Sequence, residues 1–584
     1  MKKLIYLTIL CGCTLANAQS WVWGKRGGGS GNTVETIQSM ATDSQKNIYA
    51  TAMVSAINID VDGHALNSTD MGQAINPTDA VLTSFACDGS YRWSKIFTGQ
   101  DREELKYVQT DAQDNVYVTG FTFGGGGNNS FFKYPNYLDT DVTFPQTTTN
   151  PDYFISFIVK YNSNGVMQWI KRIGAQFSGQ LIDNYISIAG MTVDSAGNSY
   201  TLTLLTPGNT YCDGNLTVTG NNQKYYVIKH DSNGNYTGAT YLDFQSTYGS
   251  GITFYRNPYN GNYYLTASKG SVNDTATFGG QNATHDTVLA CFDSTGQFQW
   301  MREDATNRGS MVCPILDITF DTNNDVYLAL ILAGSNNGQN AQDSFLGYSI
   351  VENTFPVTVM KTNTNVDTLL WASRSNFTIG SNVFGGIFLN TNEVAISNYS
   401  WNGFTWGTQT SVATPGATPL LARLNKTTGE CIGLSNINNN NQLNDNGDIL
   451  VADVSGDYIM GGPFHSMLYF DNNQQILNNG PETDFFIAKY ATQACSPLAI
   501  NETVQPKVQL QVYPNPTSGK VYFDNSLTQY KSVVVYNPVG QQVMTIPLTT
   551  ISNSVIDLSQ MSKGVYMLQF TCEKGSETVK VEKK

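Results

Sequence analysis

Apolar and polar residues alternate with period two through most of this chain, as in "NVYVTGF" from Asn115, and no stretch carries the 3.6-residue spacing of a long amphipathic helix. A second kind of segment is apolar at nearly every position, as in "FISFIV" from Phe154. Such a strand needs cover on both faces, so sheets must stack on one another. The pattern predicts an all-β protein.

The strands recur in a fixed order. A turn element of the form Asp-x-x-x-Asn-x-Tyr stands as "DSQKNIY" at Asp43, "DAQDNVY" at Asp111, "DSAGNSY" at Asp194 and "DTNNDVY" at Asp321. Weaker copies begin at Asn257, Leu389 and Asp453, which spaces the units by about 68 residues. After each turn comes an apolar run, starting at Asp79, Asp152, Lys224, Asp286, Phe355, Thr418 and Asp484. Four units then close with a Trp strand: Trp93-x-Lys95, Trp169-x-Lys171, Trp300-x-Arg302 and Trp371. Each unit therefore predicts four strands, and seven such units suit a ring of stacked sheets, a seven-bladed β-propeller. Tandem immunoglobulin-like sandwiches would need longer units, and an open solenoid would need capping repeats.

The signature "DAQDNVYVTG" with "DYFISFIVKY" and "QWIK" resembles the bacterial β-propeller repeat proteins of the SBBP type. The resemblance runs over roughly residues 20–492 and implies the fold, with little about activity. The seventh unit ends at "DFFIAKY" (Asp484 to Tyr490) without a Trp strand. "SWVWGKRGGG" from Ser20 has one, Trp23-x-Lys25, with nothing before it but a leader. The N-terminal strand is expected to lie beside the third strand of the last unit and close the ring.

Composition narrows the setting. Charged residues are only 13% of 584, and the net charge of −14 argues against nucleic acid. Residues 1–18 read as a signal peptide: Lys2 and Lys3, an apolar core from Leu4 to Leu10, and "ANA" ending at Ala18. No segment predicts a transmembrane span. "LCGC" loosely resembles a lipobox that would put a lipid on Cys13. The mature chain keeps Cys87, Cys212, Cys291, Cys313, Cys431, Cys495 and Cys572, an odd number without zinc spacing. Scattered buried thiols are the expectation, with one or two disulfides open to an exported protein.

Composition shifts after Tyr490. Residues 493–509 read as a linker and 510–584 as a separate small β-sandwich. "YPNPTSG" (Tyr513, Pro514, Asn515, Pro516, Gly519), "VYNPVGQQV" with Gly540, and "IDLSQMSKGVYML" with Gly564 and Tyr566 stand in order. With the basic end "VKVEKK" they closely resemble the type A C-terminal sorting domain of the type IX secretion system. Asn537-Pro538 departs from the usual Asp without Pro. The resemblance implies passage across the outer membrane, recognition by the secretion machinery, and a passenger left at the cell surface or released.

Chemistry is sparse. His64, His230, His285 and His465 form no HExxH or HxH motif, and neither a GxSxG elbow nor a P-loop occurs. Asn58, Asp60 and Asp62 before Gly63 have the opening spacing of a calcium loop, but position twelve is Thr69, and alternating Ile57, Ile59 and Val61 read as a strand. No other cofactor is implied. The interval from Asp111 to Asp194 is 83 residues, and its excess holds Phe131, Phe132, Tyr134 and Tyr137, an aromatic platform for a sugar or peptide or a simple edge cap. The Asn-rich stretch from Asn436 to Asp448 reads as an exposed loop. Glu103, Glu104 and Glu303 break the repeat and are the carboxylates open to catalysis. The expected function is a monomeric, exported, non-enzymatic binding or adhesion protein for glycan or protein. A propeller-borne polysaccharide hydrolase or lyase is the alternative, and a structural part of gliding or envelope machinery a third reading.

Overall fold

The computed structural model describes residues 19–493, 495 and 512–584, apart from 56, 67–77, 99–102, 125–152, 174–187, 213, 248–249, 270, 272, 306–314, 333–334, 337–338, 353–355, 377–384, 401–402, 441–442, 524–529, 539, 549–554 and 573–574. The expected signal peptide and the candidate lipid site at Cys13 lie outside the described residues. The chain divides into two compact units, 1–497 and 498–584.

Every regular element described in the first unit is a strand. Four antiparallel strands make each main sheet. The first sheet runs Thr36–Thr42, Ile48–Ser55, Thr78–Phe85 and Tyr91–Phe97, and the second Glu103–Thr110, Val116–Gly124, Tyr153–Tyr161 and Met167–Arg172. The same order repeats in sheets that begin at Ile188–Val193, Ser250–Arg256, Ile315–Phe320 and Ile387–Leu389. The seventh sheet takes Ile449–Ala452, Tyr458–Phe464 and Asp484–Ala491 from the end of the unit and Ser20–Gly28 from its start. Lys25 stands opposite Ile487 and Gly24 opposite Ala488 in that last pairing. The third strands Thr78–Phe85 and Asp484–Ala491 are buried at every position, as their continuous pattern requires.

The repeat motif is explained by hydrogen bonds within the first hairpin. Asp43 Oδ1 accepts the amides of Gln45 and Asn47 at 2.9 and 2.8 Å, while Oδ2 accepts the Asn47 amide group and the Tyr49 phenol at 2.8 and 2.7 Å. The same bonds recur at Asp111 with Asn115 and Tyr117, and at Asp194 with Asn198 and Tyr200. One carboxylate thus sets a turn that the backbone alone would leave loose. A lysine late in the third strand then reaches the same Asp: Lys160 to Asp111 at 3.7 Å, Lys361 to Asp321 at 3.6 Å and Lys489 to Asp453 at 2.8 Å.

Most consecutive sheets touch through their first strands. The strand starting at Thr36 touches those starting at Glu103 and Ile449. Thr110 Oγ1 donates to the Thr42 carbonyl at 2.7 Å, and Thr42 Oγ1 donates to the Ala452 carbonyl at 2.9 Å. The outer strands are tied by tryptophan. Trp93, Trp169 and Trp371 each donate an indole N–H to a turn carbonyl of the next sheet, at Ser163, Ser232 and Lys426. Gly165 lies against Trp93 in such a turn at φ 76°, where a Cβ would stand 2.7 Å from the ring. This order of sheets is a β-propeller.

Two features were not legible in the repeat. Every main sheet except the second, whose corresponding stretch lies outside the described residues, carries a small hairpin between its second and third strands, such as Asp60–Val61 with His64–Ala65. Several of these pair with the preceding sheet's fourth strand or the short strand just after it: Gly27 with Val61, Gln245 with Thr277, and Asn438 with Tyr469. The second is covalent. Cys87 and Cys495 form a disulfide across 408 residues, which corrects the expectation of unpaired thiols for these two; Cys212, Cys291 and Cys431 are buried thiols.

The second unit is a sandwich of a three-stranded sheet (Val512–Tyr513, Lys520–Phe523, Val555–Asp557) and a four-stranded sheet (Gln542–Pro547, Ser532–Tyr536, Gly564–Cys572, Gly575–Lys583). Val521, Phe523, Val533, Val535, Ile556, Leu568, Phe570 and Val581 make its core.

Candidate functional site

The carboxylates singled out from the sequence separate in space. Glu103 and Glu104 open the first strand of the second sheet, whereas Glu303 ends the fourth strand of the fourth sheet. Glu104 forms an ion pair with Lys106 on the same strand. Glu303 accepts the amides of Thr284 and His285 at 2.6 and 2.9 Å and holds the His285 ring at 3.5 Å. A carboxylate that the sequence did not single out, Asp317, sits on the first strand of the fifth sheet. Its oxygens accept the amides of Ile318 and Ile387, both at 2.9 Å, so it joins the fifth sheet to the sixth. Desolvation pushes Asp317 up to about 6 and, with Asp317 beside it, lifts the Tyr255 phenol well above its ordinary value. Tyr107 likewise donates to the Ala189 carbonyl of the next sheet at 3.1 Å.

The residues of the calcium-like spacing take part in ion pairs and a hydrogen bond. Asp60 pairs with Arg26, Asp62 with Lys25 at 2.8 Å, and the Asn58 amide donates to Ser30 at 2.9 Å. Arg26 also reaches Asp484 at 2.5 Å. The two carboxylates drawn together by the sequence spacing thus receive cations from the N-terminal strand. Beside them Glu35 is buried and accepts the amides of Gly29 and Ser55 at 2.7 and 2.9 Å; burial holds it up at about 7. Gly28 is required there, because a Cβ would stand 2.2 Å from Glu35 Oε2 and 2.4 Å from Asp484 Oδ1.

The histidines serve turns and hairpins. His64 stacks on Tyr91 with centroids 3.9 Å apart, His230 packs edge-on to Tyr236, and His465 Nδ1 lies 3.1 Å from Asp445. Phe131, Phe132, Tyr134 and Tyr137 lie outside the described residues.

A cleft of about 250 Å³ opens where the third sheet meets the hairpin of the fourth. Leu204 and Tyr225, directly opposite each other in the third sheet, form its apolar side. Asn222, Gln223, Gln245 and Thr277 supply amides and a hydroxyl. The repeat did not signal it, because beyond Leu204 and Tyr225 its walls come from the irregular stretches between landmarks.

In the second unit the motif residues fall into two groups. Asn515 donates to the Lys580 carbonyl at 2.7 Å and accepts the Glu582 amide at 2.9 Å, fastening the last strand. The peptide bonds into Pro514 and Pro516 on either side of it are cis. Gly519 lies against Ser559, where a Cβ would stand 2.5 Å from the hydroxyl oxygen. Gly540 has φ 78° in the turn closed by Asn537, and Gly564 opens the strand in which buried Tyr566 donates to the Ser562 carbonyl at 2.9 Å. Tyr513 is different. It is 57% exposed and stacks on exposed Tyr522, with Val555 next in the row.

No curated protein matches the chain. Among solved structures it is similar to the Dos1 propeller, at 8% identity over 81% of this chain and 96% of that one with TM-score 0.35. It is also similar to BamB from Moraxella catarrhalis, at 11% identity over 81% and 98% with TM-score 0.28. A third is the polysaccharide lyase Uly1, at 8% identity over 78% and 90% with TM-score 0.37. No described helix is long and apolar enough to cross a membrane. Residues 511–584 match the secretion system C-terminal sorting domain family, so the second unit is the tail by which the type IX machinery exports this propeller.

Proposed function

We propose that the exported propeller is a binding module for glycan or protein at the cell surface or in the medium, and that it performs no catalysis. The observation that carries this reading is the use of its acidic groups. Glu104 is paired with Lys106, Asp317 takes two backbone amides, and Glu303 caps the His285 turn. Carboxylates committed to such bonds are poorly placed to act as a general acid and base flanking a sugar bond. The test is a glycan array probed with the purified mature chain, run beside a product assay on the same glycans. Binding without turnover supports the reading, and product formation overturns it.

We further propose that the seven sheets form one closed ring, with Ser20–Gly28 as the outer strand of the last blade. Three relations support closure. Trp23 donates to the Cys87 carbonyl as Trp93 does to Ser163, Thr42 bonds Ala452 as Thr110 bonds Thr42, and Gly27 pairs with the hairpin of the first sheet.

A further inference from the structure

We propose that the cleft between the third and fourth sheets is a binding site for a single uncharged sugar ring, an assignment that rests on the binding-module reading above. Its lining residues, from Leu204 to Thr277, include no charged side chain. Lys224, next to Gln223 and Tyr225 in sequence, is engaged elsewhere: its Nζ donates to the Thr219 carbonyl at 2.9 Å and sits over the Tyr241 ring. A site without charge selects against acidic and sulfated ligands, whose desolvation would go uncompensated.

What the lining offers instead matches a pyranose. A sugar ring has an apolar C–H face and a rim of hydroxyls, each both donor and acceptor. Tyr225 and Leu204 present the apolar side, and Tyr225 is held rigid because it stacks on Phe244 at 4.0 Å, which stacks in turn on Phe278 at 5.5 Å. Across from them, each carboxamide places a donor and an acceptor side by side. The exposed Asn222 and Gln245 side chains have no hydrogen-bond partner among the described residues, so both are available to a ligand. Gln245 is not on a free loop: its backbone pairs with Thr277, and Thr247 is bonded to Thr275 on either strand at 2.8 and 2.9 Å. The volume lies just below the usual range for small-molecule sites, about 300–1,000 Å³, which favours one ring over an extended chain.

The test uses the mature full chain and a set of probes: methyl α-glucoside, methyl α-mannoside, methyl β-galactoside and N-acetylglucosamine, with glucuronic acid as the charged control. Saturation-transfer NMR reads binding. The variants are Asn222→Ala and Gln245→Ala, separately and together, both exposed and without packing roles. Transfer to at least one neutral probe, weakened roughly tenfold in the double variant, supports the site. Neutral-sugar binding that survives the double variant overturns the cleft while leaving the binding-module reading standing. Transfer to the glucuronic acid control alone, or to no probe, overturns it as well. An array that also fails with every glycan and protein is the separate outcome that removes the parent reading.

Discussion

The Trp23 indole N–H donates to the Cys87 carbonyl at 3.2 Å, joining a strand of the seventh sheet to a turn of the first. Gly89 in that turn has φ 82°, and a Cβ there would stand 2.9 Å from the Trp23 ring, as at Gly165 beside Trp93. The bond repeats between the seventh and first sheets what the other tryptophans do between sheets that follow one another in sequence. A strand supplied from the far end of the chain therefore inherits a repeated joint.

Deleting Ser20 to Gly27 removes that joint and uncovers the third strand of the seventh sheet. Trp21 and Trp23 are 1% and 4% exposed, and truncating either one to Ala is expected to cost about 3–5 kcal/mol. The deletion should lower the melting temperature more than either substitution. Calorimetry on the purified propeller measures it. A truncated chain that melts like the full one would refute ring closure by this strand.

The disulfide gives a second, independent reading of the same joint. Cys87→Ser keeps the backbone carbonyl that Trp23 uses but releases Cys495, which follows the last strand. Removing a native disulfide costs roughly 2–5 kcal/mol. Lys489, at 3.1 Å from the Cys87 sulfur and 2.8 Å from Asp453, stays paired with the Asp in this variant. The expected result is a lower melting temperature for Cys87→Ser and for the wild type under reductant, with no further loss when Cys87→Ser is itself reduced. An effect of reductant on the variant equal to that on the wild type would mean that another bond is responsible.

Glu35 makes stability depend on pH in a defined direction. Its carboxyl is held at about 7 by burial, above the ordinary value of 4.5, with Asp484 adding to the rise and the amides of Ser55 and Gly29 opposing it. Between those two values the folded chain keeps a proton that the unfolded chain has lost, so stability falls as pH rises. The contribution is fully present below about 4.5 and gone above about 7, a change of roughly 3 kcal/mol at most for this group. Asp448, also pushed up to about 7 by desolvation, acts in the same direction. Melting temperatures taken from pH 4.5 to 8 should fall across the series, and Glu35→Gln should make the fall shallower. An identical slope in the variant would assign the dependence elsewhere.

What could be read from the sequence followed the range of the interactions. The Asp turn was legible because Asp43, Asn47 and Tyr49 bond within six residues, so the motif travels intact from sheet to sheet. The N-terminal strand was legible because the last unit ended without a fourth strand while a Trp-x-Lys strand was left over at the start. The small hairpins were not, since their partners lie on another sheet and only backbone pairing defines them, as between Gln245 and Thr277. The same holds for Arg26, whose ion pairs reach Asp60 and Asp484 across 34 and 458 residues. The spacing of Asn58, Asp60 and Asp62 read as a strand with the opening of a calcium loop, and its pairing with Lys25 and Arg26 was out of view.

The sorting domain separates residues that build the fold from residues that face outward, and export should follow that division. Asn515 fastens the last strand through two backbone bonds, so Asn515→Ala should lower the stability of the domain by about 1–3 kcal/mol and reduce export through misfolding. Tyr513 and Tyr522 stack on the surface with centroids 6.3 Å apart, and Tyr513 is more than half exposed. Replacing both with Ser removes little buried area, and the core formed by Val521, Phe523 and Phe570 stays covered. A receptor that reads this domain needs an apolar, rigid anchor, and stacked tyrosines provide one. The expected outcome for Tyr513→Ser with Tyr522→Ser is an unchanged melting temperature and a propeller retained in the periplasm, scored by fractionation against the wild type. Normal surface delivery of this double variant would show that the machinery reads another face of the domain.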